Sequence, residues 1–295
     1  MQNVLSILQS SLELGFIYGI ITLGLVVSLR IIGFADLTME GSFTLGAAIT
    51  SVSITAGINP FCALLLGGIS GSVAGLCTGF LHTKTGISKL LSGIIMMTIL
   101  YSLNLRIMGK PNYSILDKQV VFDLFPTNIY RISFDFFIVV GISLLLLFLL
   151  KTDFGLTLRA IGENPSVVTR LGANKDFFTI FGLMLSNCII AFAGGIVAQN
   201  NGFADIGMGI GILISTLAAL MIGEAILPPT NIFRLLLSAI IGSIIYQMII
   251  AICLRLGINP WDLKFATGIL LALAVTLKRY IKPREAVSNI GCHNI

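Results

Sequence analysis

The side chains that could carry chemistry in this chain are few, and none is arranged for catalysis. The two histidines are His82 and His293, and neither has a carboxylate or a cysteine at a spacing that acid–base or nucleophilic catalysis needs. The motif GxxxxGK[ST], which cradles nucleotide phosphates, does not occur, and the five cysteines are scattered without metal-ligand spacing. The residues therefore predict that the chain is not an enzyme, binds no metal or other cofactor, and does not itself hydrolyse ATP.

What remains is a small set of polar side chains inside or beside long apolar segments. Glu40 lies near the start of one segment, where its carboxylate either reaches toward the membrane interface or faces a transport path. Neutral polar groups lie in or beside other segments, where they either hydrogen-bond a solute or hold helices together. These neutral groups are Asn187, Gln199, Asn200 and Gln247.

The composition places these groups in a membrane. Of 295 residues, 56% are hydrophobic and 11% are charged, and the mean hydropathy is +1.00. The excess of 18 Lys and Arg over 13 Asp and Glu contains no basic run, so it predicts no nucleic-acid partner. We therefore predict an all-α polytopic membrane protein embedded in lipid.

Nine apolar segments reach about 18 residues, the length needed to cross the hydrocarbon core. Their ends carry twelve basic residues on one side and six on the other, which places the first set in the cytoplasm. The N-terminus is then outside and the C-terminus cytoplasmic. One re-entrant segment would make the number of spans even, so we expect eight to ten spans. We predict one transmembrane domain over residues 1–285 and a tail over 286–295. The segments lie near 11–29, 37–56, 61–81, 88–108, 133–151, 176–199, 209–226, 233–254 and 261–279.

The polar stretch Leu156–Lys175, which this orientation makes cytoplasmic, predicts one short helix. Asn164 is a preferred N-cap, Pro165 suits the first helical position, and Gly172 tolerates a left-handed closing residue. The apolar side chains share one face of this helix: Val167, Val168 and Leu171. Two turns are not stable alone, so the helix needs a partner surface in this chain or in another protein.

Small residues in the third segment predict close helix packing. A glycine recurs every four residues, which places four glycines on one helix face and allows another backbone to approach in lipid. These are Gly67, Gly71, Gly75 and Gly79.

One short pattern occurs twice, each time before a glycine-containing segment. Phe34-Ala35-Asp36 is matched by Phe203-Ala204-Asp205, and the predicted topology starts the first copy inside and the second outside. An inverted repeat whose halves meet around a transport path would have this arrangement.

Three segments together resemble the permease subunits of bacterial ABC importers. They are DLTMEGSFTLG at 36–46, RAIGENP at 159–165, and 185–224 with its AFAGG, GFADIGMGIG and MIGEA pieces. The chain is most similar to the branched-chain amino acid and ribose type of permease, and within it to the branch linked to uptake of tryptophan and other aromatic amino acids. The resemblance covers nearly the whole chain, and its motifs are more specific for the family than for the substrate.

The resemblance implies partners and a role for the polar loop. It implies a homodimer or a pair of similar permeases, two cytoplasmic ATPase subunits that hold ATP and Mg²⁺, and an extracytoplasmic substrate-binding protein. The loop 152–175 would supply a coupling helix that seats in the ATPase. The residues of this loop that match the family pattern are Arg159, Gly162, Asn164, Pro165, Leu171 and Gly172. The candidate coupling set also includes Glu163, Val167 and Val168. Asp36 and Ser42 join Glu40, Asn187, Asn200 and Asp205 as candidates for the translocation path.

The sequence thus predicts a permease subunit of the bacterial plasma (inner) membrane that moves a small polar solute inward by alternating access. The resemblance favours an amino acid, in particular an aromatic one. Two alternatives remain open: an importer for a sugar or nucleoside, and a secondary carrier or channel that works without an ATPase. A carrier would not need a capped two-turn helix with an exposed apolar face.

Overall fold

The chain forms a bundle of helices in the computed structural model. The structure describes residues 2–125, 128–170 and 172–257, with 262, 265 and 267–269, and it describes the backbone only at 2–8, 124, 128, 129 and 167. The helices are α1 (Gln2–Leu25), a π-helical turn (Val26–Ile31), α2 (Thr38–Thr55), α3 (Pro60–Thr85), α4 (Lys89–Met108), a 3₁₀ turn (Val121–Leu124), α5 (Asn128–Lys151), α6 (Asp153–Glu163), α7 (Pro165–Arg170), α8 (Lys175–Asn201), α9 (Ile212–Ile226) and α10 (Ile232–Arg255). The strands are β1 (Asn112–Ser114) and β2 (Phe203–Asp205).

Six of the described helices are long and apolar enough to cross a membrane, so the all-α membrane architecture agrees with the sequence prediction. The six segments are Gln9–Ile31, Pro60–Thr85, Lys89–Met108, Tyr130–Lys151, Lys175–Asn201 and Ile232–Arg255. The predicted spans at 37–56 and 209–226 correspond to α2 and to the 15-residue α9, which are not among the six. Most of the ninth predicted segment, 261–279, lies outside the described residues, so the count of nine is not confirmed.

Helix α8 lies at the centre of the bundle, in contact with α1, α2 and α3. The glycines of α3 allow this approach. A side chain at Gly71 would collide with the carbonyl oxygen of Asn187, and one at Gly75 with the carbonyl oxygen of Leu183. The backbones of the two helices therefore meet directly, as the glycine spacing indicated.

The segment after α4 folds back over the helix ends. Strand β1 pairs antiparallel with β2, with Tyr113 opposite Ala204. Val121 donates its backbone N–H to the Gln199 side chain at 2.9 Å, and the same side chain donates to the Pro60 carbonyl at 3.2 Å. Gln199 therefore joins this connecting segment to the ends of α3 and α8.

The polar stretch contains two helices where the sequence analysis predicted one. The predicted helix is present as α7, in which Asn164 accepts from the Ser166 N–H at 3.2 Å and Gly172 has φ +83°. Ahead of it, α6 extends over Arg159, Gly162 and Glu163, which the prediction had left in a polar loop. Thr152 begins α6 by accepting from the Gly155 N–H at 3.2 Å.

Candidate functional site

The candidate site is a small cavity where α2, α4 and the segment before α9 meet. Its volume is about 30 Å³. A larger groove on the outer face of α4 is lined by residues of that helix alone and contains no carboxylate, so it is a weaker candidate. The cavity is lined by Glu40, Gly41, Thr44, Met97, Tyr101, Asn104, Ile206, Gly209 and Ile210.

Asp36 holds the start of α2 inside the protein. Its Oδ1 accepts from the Thr38 N–H at 2.9 Å, and its Oδ2 accepts from Asn187 Nδ2 at 2.7 Å. The Asp36 side chain is buried, in the segment before α2.

The contact with Asn187 shows how deep α2 begins. Asn187 lies near the middle of α8, twelve residues after Lys175 and fourteen before Asn201. The first turn of α2 is therefore level with the middle of a spanning helix rather than with its end. The chain between Ile31 and Thr38 must then enter the bundle before α2 starts.

Glu40, in the first turn of α2, connects this helix to the N-terminus of α9. Its Oε1 accepts from the Gly211 N–H at 3.0 Å. The carboxylate thus satisfies one of the unpaired N–H groups at the start of α9, where a negative charge is favourable. A side chain at Gly209 would collide with the Glu40 carbonyl oxygen, so only glycine allows the two backbones to approach.

Asn104 closes the cavity from the α4 side. Its Nδ2 donates to the Gly41 carbonyl oxygen at 3.1 Å, and the residue is only 1% exposed. In the part of the chain that the structure describes, its Oδ1 has no hydrogen-bond partner. Tyr101, one turn earlier on α4, lies at the exposed edge of the cavity.

The other residues predicted for a translocation path lie elsewhere. Ser42 and Asn187 are fully buried between helices, and Asn200 is half-buried near the end of α8. Asp205 lies in β2, where its Oδ1 accepts from the Gly207 N–H at 2.8 Å and its Oδ2 from Asn112 at 3.3 Å. Of the six predicted path residues, only Glu40 lines the cavity.

The candidate coupling residues divide between the surface and the interior. Asn164 and Pro165 are exposed. Val168 is only 2% exposed, so its side chain is buried within this chain. Leu171 and the Val167 side chain lie outside the described residues. Gly162 packs closely on the π-helical turn that ends the first span, so a side chain there would collide with the Ile31 carbonyl oxygen.

An ion pair joins the same turn to α9. Arg30 Nη2 lies 2.7 Å from Glu224 Oε2, and the Glu224 side chain is almost fully buried. Ile31, directly after Arg30, is the residue against which Gly162 packs. The π-helical turn therefore contacts α6 on one side and α9 on the other.

The described residues contain no cluster of three or more metal-ligating side chains. The six long apolar helices among the described residues define an integral membrane protein. The chain belongs to the family described as branched-chain amino acid transport system / permease component, whose model matches residues 7–275. It is thus an ABC transporter permease subunit, as the three motifs predicted.

Several relatives share most of its length. The chain is 39% identical to a tyrosine transport system permease protein of Clostridioides difficile over 92% of this chain and 90% of the relative. It is 34% identical to an uncharacterized protein of Rickettsia prowazekii over 92% and 98% of the two chains. An autoinducer 2 import system permease protein of Yersinia pestis is 24% identical over 78% of this chain and 66% of the relative. No solved structure matches the chain. The tyrosine permease agrees with the aromatic branch that the motifs indicated.

Proposed function

We propose that this chain is the membrane subunit of an ATP-driven importer for an amino acid with an aromatic side chain. The observation that carries the proposal is the 39% identity to a tyrosine transport system permease over nine-tenths of both chains. Similarity to the autoinducer 2 permease is lower, at 24%, and makes another small solute the alternative.

ATP hydrolysis would then take place in partner subunits, which hold ATP and Mg²⁺, while this chain binds no cofactor. The partners are two cytoplasmic ATPase subunits, a substrate-binding protein outside, and a second copy of the permease, all assembled at the bacterial inner membrane. We propose residues 1–285 as the single transmembrane domain and 286–295 as a cytoplasmic tail, of which 270–295 lie outside the described residues.

The loop 152–175 is the proposed site of coupling to the ATPase. Exposed Asn164 and Pro165 present the start of α7, while Gly162 packs on the turn that ends the first span. A push on α7 would reach that turn through α6 and then α9 through the Arg30–Glu224 pair. Such direct packing supports rigid-body alternating access driven by the partner subunits. A carrier that works without an ATPase has no use for this loop.

The segments around Asp36 and Asp205 are proposed as equivalent parts of an inverted repeat. Each aspartate accepts from the N–H two residues later, at 2.9 Å from Thr38 and 2.8 Å from Gly207. The helices that follow run to opposite sides. At the end of α2, Thr55 hydrogen-bonds Tyr113 of β1 at 2.8 Å, whereas α9 ends beside the Arg30 pair. Both helices start at the Glu40–Gly211 contact, as in transporters whose repeats meet around the substrate path.

The transport assignment is tested by reconstituting the permease in proteoliposomes with its ATPase and its binding protein. We expect labelled L-tyrosine that is supplied on the side of the binding protein to accumulate, in an ATP-dependent manner, on the side of the ATPase subunits. Uptake of autoinducer 2 or a sugar in preference to tyrosine would reject the aromatic substrate. Tyrosine flux that needs no ATP would reject the ABC mechanism.

The coupling assignment is tested by charge on the apolar face of the predicted coupling helix. Replacing Val167 and Leu171 by Asp should abolish co-purification of the ATPase and ATP-dependent uptake, because two carboxylates cannot be buried in an apolar contact without a large cost. Thr169→Asp, at an exposed position of the same helix, is the control and should retain both. Normal ATPase association of the double variant would refute the assignment.

A further inference from the structure

We propose that the cavity between Glu40 and Asn104 is the subsite that receives the ammonium group of the transported amino acid. The inference rests on the proposed function, because it takes the substrate to be an amino acid. The cavity is lined by one carboxylate, one side-chain amide and two hydroxyls, and none of its nine lining residues is basic. An ammonium group carries three hydrogen-bond donors and no acceptor, which is the complement of this lining.

Asn104 supplies the most specific part of the argument. Its Nδ2 already donates to the Gly41 carbonyl oxygen, which fixes the orientation of the amide. The Oδ1 is therefore left as a buried acceptor, and no described group donates to it. Leaving such an atom unpaired is unfavourable, and a donor that enters the cavity lined by Asn104 would pair with it once the side chains that now cover the oxygen move aside.

The α9 terminus argues against the opposite orientation of the substrate. The N-terminus of a helix favours an anion, and the carboxylate of an amino acid would suit it. Here the Glu40 carboxylate already accepts from the Gly211 N–H at 3.0 Å. A second carboxylate beside Glu40 would be repelled, whereas a cation would be attracted.

The size of the cavity limits what enters it. A volume of about 30 Å³ holds one group the size of a water molecule or an ammonium, so the remainder of the solute stays outside. At the opening lie Tyr101 and Ile210, which are 52% and 54% exposed. The Glu40 carboxylate cannot face hydrocarbon without a cost, so the opening belongs on a water-filled path. An aromatic substrate side chain would lie against Tyr101 there.

The charge preference is tested without any assumption about the substrate. Tyr101→Cys is made in the full permease after Cys62, Cys77, Cys188, Cys253 and Cys292 are replaced. The introduced thiol is reacted with two methanethiosulfonate reagents, one with a cationic ethylammonium group and one with an anionic ethylsulfonate group. Each rate is divided by the rate of the same reagent with a free thiol in solution, which corrects for the reactivity of the reagent itself. We expect the normalised cationic rate to exceed the anionic rate by about tenfold or more.

Two controls accompany this measurement. Adding Glu40→Gln should remove the preference, and Ser102→Cys, in the separate groove of α4 that contains Arg106, should not show it. Equal rates, a preference for the anion, or no reaction with either reagent at Cys-substituted Tyr101 would each overturn the proposal.

A pair of Asn104 variants tests the acceptor in the reconstituted transporter. Asn104→Leu removes both amide groups, so we expect tyrosine uptake per ATP hydrolysed to fall by about tenfold. Asn104→Gln keeps both an amide donor and an acceptor oxygen, so it should retain more of the uptake than Asn104→Leu. If Asn104→Leu transports normally, or if Asn104→Gln loses as much as Asn104→Leu, the subsite is rejected. Absence of tyrosine uptake by the unaltered protein would reject the proposed function, while the cysteine experiment would still decide the charge preference.

Discussion

At the scale of single residues, the pair of Arg30 and Glu224 is a test of what holds α9 in place. The Glu224 side chain is 1% exposed and the Arg30 side chain is 34% exposed. Arg30→Met would leave a buried carboxylate without its cation, so we expect the free energy of unfolding to fall by about 3 kcal/mol. The midpoint of thermal unfolding of the purified protein in detergent measures the loss.

A double variant separates the effect of charge from that of packing. Arg30→Met with Glu224→Leu removes the buried charge as well, so we expect much of the lost stability to return. Arg234→Met changes an exposed arginine of α10 and should unfold at the temperature of the unaltered protein. A double variant as unstable as the single variant would refute the buried-charge explanation.

Single residues also show where sequence reasoning stops. Glu40 was identified as a candidate because a carboxylate in an apolar segment is unusual. Asn104 was missed, although it too is a polar residue in an apolar helix. Its proposed role depends on Gly41, 63 positions earlier, which accepts from the amide nitrogen, while the amide oxygen has no donor among the described residues. No local pattern contains that information.

At the scale of elements, the glycine face of α3 determines how closely α8 can approach. A Cβ at Gly71 would collide with the Asn187 carbonyl oxygen and the Ala191 side chain, so one of the two helices must shift. We expect Gly71→Ala to destabilise the protein by about 1–3 kcal/mol and to lower its yield in the membrane. Thermal unfolding in detergent and quantitative immunoblotting measure the two effects.

Gly68 provides the matched control on the same helix. A Cβ there would lie 3.5 Å from Phe192 Cβ, which is an ordinary contact. Gly68→Ala should therefore leave the stability and the yield unchanged. Equal damage from both substitutions would mean that lost helix flexibility, rather than the approach of α8, explains the result.

The elements differ in how much of them could be predicted. The α7 helix was predicted because Asn164, Pro165 and Gly172 mark its ends locally. The α6 helix was missed because its polar face made the whole stretch resemble a loop. A count of apolar residues does not distinguish a helix that crosses the whole bundle from one that begins level with the middle of the spanning helices. The buried starts of α2 and α9 depend on tertiary contacts of Asp36 and Glu40 instead.

At the scale of the whole molecule, the orientation in the membrane is the property on which coupling depends. The count of twelve basic residues against six predicts that loop 152–175 is cytoplasmic. Ser166→Cys in a background without native cysteines should therefore react with a membrane-impermeant maleimide only in inverted vesicles. Ser166 is exposed, so lack of access within the protein does not limit the reaction.

Leu116→Cys is the control for this orientation. Leu116 is 76% exposed in the segment between β1 and α5, which the same charge count places outside. It should react in intact cells and be protected in inverted vesicles. Labelling of the Ser166→Cys protein in intact cells would reverse the topology and remove the ATPase from loop 152–175.

The contact between α3 and α8 also has a consequence in time. Ile180, which packs on Gly79, is synthesised 101 residues after it. At a ribosomal rate of about 5–20 residues per second, α3 is complete roughly 5–20 s before this part of α8 exists. During that interval its glycine face is covered by lipid or by α2, and the arriving helix must displace whatever occupies the position. The contact between α3 and α8 therefore forms only after more than half of the chain has been synthesised.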